Sequence, residues 1–169
     1  MLNSDELDYL NKISPTKMVD IKPFKDEIKQ IVNEITKRIK KVTPKLTILH
    51  MGASALQISG QNDIDLYILA SKVKFNSHLS KLIKEFGNPK NRKIDSIAWK
   101  FNMKGYEVEM YLTDPNSKPM QRQIKVFEIL KGNKTYLKEY EKLKEKMNGK
   151  SFREYQEKKY IFYHKILDK

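Results

Sequence analysis

At 169 residues, with 39% hydrophobic and 33% charged side chains, the chain is long enough to bury a core and too polar to be embedded in a membrane. Zero cysteines exclude a disulfide framework, a thiolate metal centre and a cysteine nucleophile, and three scattered histidines argue against a histidine cluster, so any metal must be held by oxygen. The net charge of +13 creates a field that attracts polyanions, nucleic acids and nucleotides included, without selecting one. Only four of the 34 basic residues are arginine, and the abundance of Lys, Ile and Asn also fits a bias toward AT-rich codons. Arg38, Arg92, Arg122 and Arg153 are therefore the more informative cations, because a guanidinium holds phosphate in a bidentate way. No apolar run approaches the ~18 residues needed to cross a bilayer. The start, MLNSDELDYL, is acidic where a signal peptide is basic and then apolar, so the expected location is cytoplasmic, with no membrane partner.

In chain order, a short amphipathic stretch precedes Pro23, which opens a segment with Ile28, Ile31, Val32, Ile35, Ile39 and Val42 at three- and four-residue spacings. This spacing predicts a helix with one buried stripe, stopped by Pro44. Leu46-Thr47-Ile48-Leu49-His50 reads as a buried strand ending at Gly52, and Asp63–Leu69 as a second. Phe75, Leu79, Leu82, Ile83 and Phe86 mark another helix, closed by Gly87-Asn88-Pro89. Ile94–Met103 and Tyr106–Leu112, joined by Lys104-Gly105, predict a β-hairpin. Beyond the loop Thr113–Pro119 the chain is helical to its end, with breaks at Gly132-Asn133 and Asn148-Gly149, and Ser151-Phe152-Arg153-Glu154 reads as a capping box. The expected fold class is α/β (α+β): a small mixed sheet, flanking helices and a helical C-terminal region. Residues 1–169 are read as one domain, with an α/β core over about 20–112 and a helical layer over about 120–169.

The chemistry concentrates in His50-Met51-Gly52-Ala53-Ser54 and Asp63-Ile64-Asp65-Leu66. Residues two apart on a strand share a face, so Asp63 and Asp65 present paired carboxylates while Ile64 and Leu66 face a core. Two neighbouring carboxylates repel, which raises a pKa or recruits a cation, and hard oxygen ligands suit Mg²⁺ (or Mn²⁺), which takes one or two carboxylates together with water and substrate phosphates. Gly52 permits close backbone approach to a ligand, and the amides that follow can form an anion-binding nest. In Tyr106-Glu107-Val108-Glu109-Met110 the acids again share a face. If this strand lies beside Asp63–Leu69, Glu109, or in second place Glu107, completes a three-acid cage that acts on the attacking and leaving oxygens through bound metal.

Gly52-Ala53, nine further residues and Asp63-Ile64-Asp65-Leu66 resemble the signature of the nucleotidyltransferase superfamily. His50–Ser54 is similar to the histidine-apolar-glycine-serine-threonine motif of the GrpB family. Tyr140, Leu143, Lys144, Arg153, Tyr155, Lys159 and Phe162 resemble that family's closing helical pattern, so the similarity spans roughly residues 20–167. The resemblance implies a sheet of the nucleotidyltransferase type, a nucleoside triphosphate substrate, and metal ligands and catalytic acids at Asp63, Asp65 and Glu109. It also implies phosphate contacts from Gly52, Ala53 and Ser54, from Lys159, and from Arg122, with Arg122 or Lys125 standing in for a family arginine that Glu128 does not supply. The expected reaction transfers a nucleoside monophosphate to an acceptor, whether small molecule, protein or RNA, and releases pyrophosphate. Ala53 stands where the superfamily usually has serine or glycine, which motivates a second expectation: a catalytically silent nucleotide-sensing or nucleic-acid-binding module on the same fold. His50 is expected to orient its loop through a backbone hydrogen bond, His78 and His164 to face solvent, and Phe152, Tyr155, Phe162 and Tyr163 to pack against the sheet.

Overall fold

The computed structural model describes residues 2–168, which form two compact units. One contains the sheet and comprises Phe24–Gln57 and Asn62–Gln123; the other is helical and comprises the chain up to Pro23, Ile58–Gln61 and the chain from Ile124 onward.

The sheet unit begins with α2, Glu27–Val42, which follows α1 (Ser4–Lys12) of the helical unit. Ile28, Ile31, Ile35 and Ile39 form its buried stripe, as their spacing requires. The helix starts at Glu27 rather than near Pro23, because Lys22 is held extended by reciprocal backbone hydrogen bonds with Gly60, of 2.7 and 2.9 Å. Five strands follow: β1 (Thr47–Met51), β2 (Asp63–Leu69), β3 (Asn91–Arg92), β4 (Ser96–Met103) and β5 (Tyr106–Thr113). Between them lie α3 (Gly52–Leu56) and α4 (Phe75–Phe86). The sheet order is β1-β2-β5-β4-β3, with β2 and β5 parallel and every other pair antiparallel. The result is a mixed α/β fold.

Alternation divides the two faces of the sheet. Ile64, Leu66 and Ile68 of β2 and Val108, Met110 and Leu112 of β5 are fully buried, and with Ile97 and Trp99 of β4 they form one cluster with the α2 isoleucines and Phe75 and Leu82 of α4. Trp99 satisfies its indole by donating to the Gly87 carbonyl at 2.8 Å. Arg38 of α2 holds α4 with an Nε–H bond to Glu85 at 2.8 Å and a second bond to the Glu85 carbonyl at 3.0 Å. The β4–β5 turn has Lys104 at φ +52° and Gly105 at φ +85°, the left-handed pair that suits a two-residue hairpin. Strand β4 begins at Ser96 rather than Ile94: Ile94 is 82% exposed inside a turn closed by the Lys93 amide on the Ser96 carbonyl at 2.7 Å.

The helical unit contains α1, α6 (Lys134–Lys146) and α7 (Phe152–Leu167), and α5 (Lys118–Gly132) runs into it from the sheet unit. The complete capping box lies at α1, where Asn3 accepts from the Glu6 amide at 2.9 Å and Glu6 accepts from the Asn3 amide at 3.0 Å. At Ser151 the serine accepts from the Glu154 amide at 3.5 Å, whereas the Glu154 carboxylate turns to Lys158 at 2.6 Å. Phe152 and Tyr155 pack not on the sheet but against Leu10, Ile13, Val19, Ile21 and Met147. His164 is not directed to solvent: its Nε2 lies 2.8 Å from the buried Glu6 carboxylate. Among the described residues, no helix is long and apolar enough to cross a membrane.

Because Ile35 is 0% exposed at the centre of the α2 stripe and Val73 is 83% exposed, the two sites separate core packing from general side-chain loss. Ile35→Ala should lower unfolding free energy by about 2–5 kcal/mol, and Val73→Ala by less than about 0.5 kcal/mol, in urea denaturation.

Candidate active site

Strand β1 delivers the chain to Gly52 beside the first half of β2, where Met51 is the register partner of Asp65. Gly52 has φ +75°, and a Cβ built on it would lie 2.2 Å from Asp65 Oδ2. Glycine is thus demanded twice, by the left-handed backbone and by the carboxylate against it. The tight approach is made by a side chain of the protein. The residues after Gly52 form the short helix α3 where the sequence pattern suggests a loop, with Ala53 and Ser54 each 6% exposed. Ser54 Oγ lies 2.9 Å from His50 Nε2, so His50 orients this turn through a hydroxyl rather than the backbone. Burial pushes the His50 imidazole down to about 4, so it is neutral at pH 7 and contributes no positive charge.

The parallel register pairs Asp63 with Glu107 and Asp65 with Glu109, so four acids occupy two successive cross-strand rows on the face opposite the core. Strand β4 supplies a cation to both rows: Lys100, register partner of Glu109, lies 3.2 Å from the Glu109 carboxylate and 2.6 Å from that of Glu107. Partial burial opposes its charge, but the two carboxylates win and raise the ammonium above its ordinary value. Glu109 also accepts from the Tyr111 hydroxyl at 2.6 Å. Burial, then the facing Glu109 charge, drives the Tyr111 phenol far upward, which keeps it a donor.

Asp63 and Asp65 are hard oxygen donors on one strand face, a number that suits Mg²⁺ when substrate phosphates complete its shell. A three-acid cage is not assembled: among the described residues, no group of three or more His, Asp or Glu side chains is placed to hold a metal ion. The physical reason is that Lys100 and Tyr111 engage Glu109, and Lys100 engages Glu107. The pair fits a metal; the third acid is held by the protein's own cation.

The same face continues from acids to aromatics. Tyr67 and Tyr111, the next register pair, stack with centroids 5.0 Å apart and planes within 13°. They line a cavity of about 420 Å³ together with Asn91, Ser96, Ala98 and Gln123. Neither this aromatic pair nor Lys100 stands out as functional in the sequence. The tyrosines continue the two-residue alternation of the acids and are legible as such, whereas Lys100 requires the β4–β5 register. Of the two cations expected at phosphate, Arg122 lies on α5 within the sheet unit and Lys159 on α7 within the helical unit, its Nζ 5.5 Å from the Tyr163 ring centre.

A histidine with a depressed folded-state pKa binds its proton less well when folded, so stability is full above about 6.5 and is lost as pH falls toward about 4. Between pH 7 and pH 4, wild type should lose about 3 kcal/mol more unfolding free energy than His50→Gln, read from urea titrations at each pH. Gly52→Ala should cost about 1–3 kcal/mol in the same assay for its backbone alone, and more for displacing Asp65.

The GrpB protein family model matches residues 18–169. A comparison with curated proteins gives no match. Among solved structures, the chain is similar to one of Cid1, described by its RNA terminal uridylyl transferase activity, at 14% identity and a TM-score of 0.47, covering 82% of this chain and 46% of that one. It is similar to a structure of the GLD-2/RNP-8 complex at 17% identity and a TM-score of 0.45, covering 81% of this chain and 60% of that one. A cytoplasmic RNA terminal U-transferase is matched at 16% identity and a TM-score of 0.41, over 82% of this chain and 45% of its own. The chain thus spans about half the length of the solved structures it matches. With the family model covering almost all of it, the chain belongs to the GrpB protein family.

Proposed function

We propose that the protein is a metal-dependent nucleotidyltransferase, which moves a nucleoside monophosphate from a nucleoside triphosphate to an acceptor hydroxyl. The observation that carries this reading is the contact of the Gly52 turn with Asp65, one register step from Asp63 and its partner row. A glycine turn at the start of a short helix, next to carboxylates on a strand, suits a phosphate chain and a divalent cation together. In the reaction, the acceptor oxygen forms a bond to the α-phosphorus, the bond from that phosphorus to the bridging oxygen breaks, and pyrophosphate departs. Asp63 and Asp65 hold Mg²⁺ or Mn²⁺, which when bound neutralises the developing phosphate charge. The Gly52–Ser54 segment orients the β- and γ-phosphates, with backbone amides as its donors. Glu109, or in second place Glu107, takes the proton of the acceptor hydroxyl once Lys100 releases it. Catalysis in such a site comes mainly from position and charge.

A second reading is favoured by the Lys100 clamp. A lysine that already neutralises Glu107 and Glu109, with Ala53 inside the phosphate segment, suits a catalytically silent nucleotide-sensing or nucleic-acid-binding module. Pyrophosphate release from labelled triphosphates favours the transferase. Nucleotide or RNA binding that falls steeply with salt, and no release across acceptors of all three classes, favours the silent module.

Calorimetry should show triphosphate binding that depends on Mg²⁺ and is lost in Asp63→Asn/Asp65→Asn, a drop of at least tenfold. Unchanged affinity in the double variant removes these acids from the mechanism.

A further inference from the structure

We propose that the cavity next to the acid rows is a nucleobase site, in which a planar base stacks on Tyr111 over Ala98. This rests on the nucleotide reading above and adds to it the place where the base is held.

One cross-strand row builds the site. Tyr67 of β2 is the register partner of Tyr111 of β5, Tyr111 of Ala98 of β4, and Ala98 of Asn91 of β3. Adjacent strands lie about 4.8 Å apart, close to the spacing of stacked rings, and the two tyrosines use this spacing, with centroids 5.0 Å apart and planes within 13°. The third position in the row is a methyl group. Where a third ring would continue the stack there is open volume instead, and Tyr67, Tyr111, Ala98 and Asn91 all line it. Tyr111 is a firmly held platform, because Tyr67 supports one face of its ring and its hydroxyl is bound to Glu109 at 2.6 Å.

The polar lining suits the edge of a base rather than a plain aromatic ring. Asn91 and Gln123 carry amides and Ser96 a hydroxyl, each able to donate and accept, which matches the mixed donors and acceptors of a purine or pyrimidine. At about 420 Å³ the cavity lies in the range of small-molecule sites. Its position fits the same ligand. The Tyr67–Tyr111 row is one two-residue step, about 6.5 Å, from the Asp65–Glu109 row, a span that the sugar and phosphate of a single nucleotide bridge. The base belongs either to the donor triphosphate or to a nucleotide acceptor.

The test uses the full chain and separates base from phosphate. Adenosine, guanosine, cytidine and uridine are titrated without metal by ligand-observed NMR, and tripolyphosphate with Mg²⁺ is titrated by calorimetry. At least one nucleoside should bind wild type. Ala98→Leu, which fills the third place in the stack, should weaken it at least tenfold while leaving Mg²⁺-tripolyphosphate affinity within twofold. Asp63→Asn/Asp65→Asn should do the reverse. Asn91→Ala, at an exposed position, gives a second variant that should weaken the nucleoside at least threefold, and melting curves confirm that each variant is folded. Competition between the bound nucleoside and Mg²⁺-triphosphate assigns the base to the donor, and simultaneous binding assigns it to the acceptor. No binding by any of the four nucleosides, or an affinity that neither Ala98→Leu nor Asn91→Ala alters, overturns the proposal. Tripolyphosphate binding that survives the loss of both aspartates overturns the acid reading alone.

Discussion

The parallel pairing of β2 with β5 is the constraint on which the sheet unit depends. Its register sets Ile64 beside Val108 and Leu66 beside Met110 on one face, and Asp63 beside Glu107 and Asp65 beside Glu109 on the other. A slip of one residue would bury carboxylates against the α2 isoleucines and expose the core to water. The same hydrogen-bonded ladder therefore fixes the fold and collects the acids. The hydrophobic face stabilises the register, and the register concentrates negative charge, which the structure answers with Lys100.

That answer gives the site its character. Four carboxylates in two rows repel one another unless a cation stands among them. Lys100 supplies one from β4, so the two glutamates of β5 are clamped by a lysine, while Asp65 of β2 is packed against the Gly52 turn. His50 is neutral at pH 7 because it is buried, and it holds Ser54.

The helical unit follows a different logic. Its core is made by α1, the segment around Val19 and Ile21, Met147, and Phe152 and Tyr155 of α7. Tyr140 stacks on Phe162 at 5.4 Å and its hydroxyl lies 3.0 Å from that of Tyr163, so the tyrosine-rich composition of this region is spent on packing and hydrogen bonds among its own helices. The cap at Asn3, its partner Glu6 and the contact of Glu6 with His164 tie the first helix to the last.

The sequence by itself determined what local periodicity determines: the α2 stripe, the two alternating acid strands, the Lys104-Gly105 hairpin and the glycine that stands before the acid pair. These are set by neighbours three, four or two residues apart, and by backbone angles that only a few residue types accept. It was silent on α3, whose five residues are too few to show a period, and it moved the edges of α2, β1 and β4 by a few residues, because those ends are set by Gly60, by the turn at Thr43 and by the turn at Ser96. Only tertiary structure decided that Lys100 would meet Glu107 and Glu109, that Asp65 would be the group pressed against Gly52, and that Ala98 would leave a gap beside a stacked tyrosine pair. Each depends on register between strands distant in the chain, and no single strand carries that information in its own pattern.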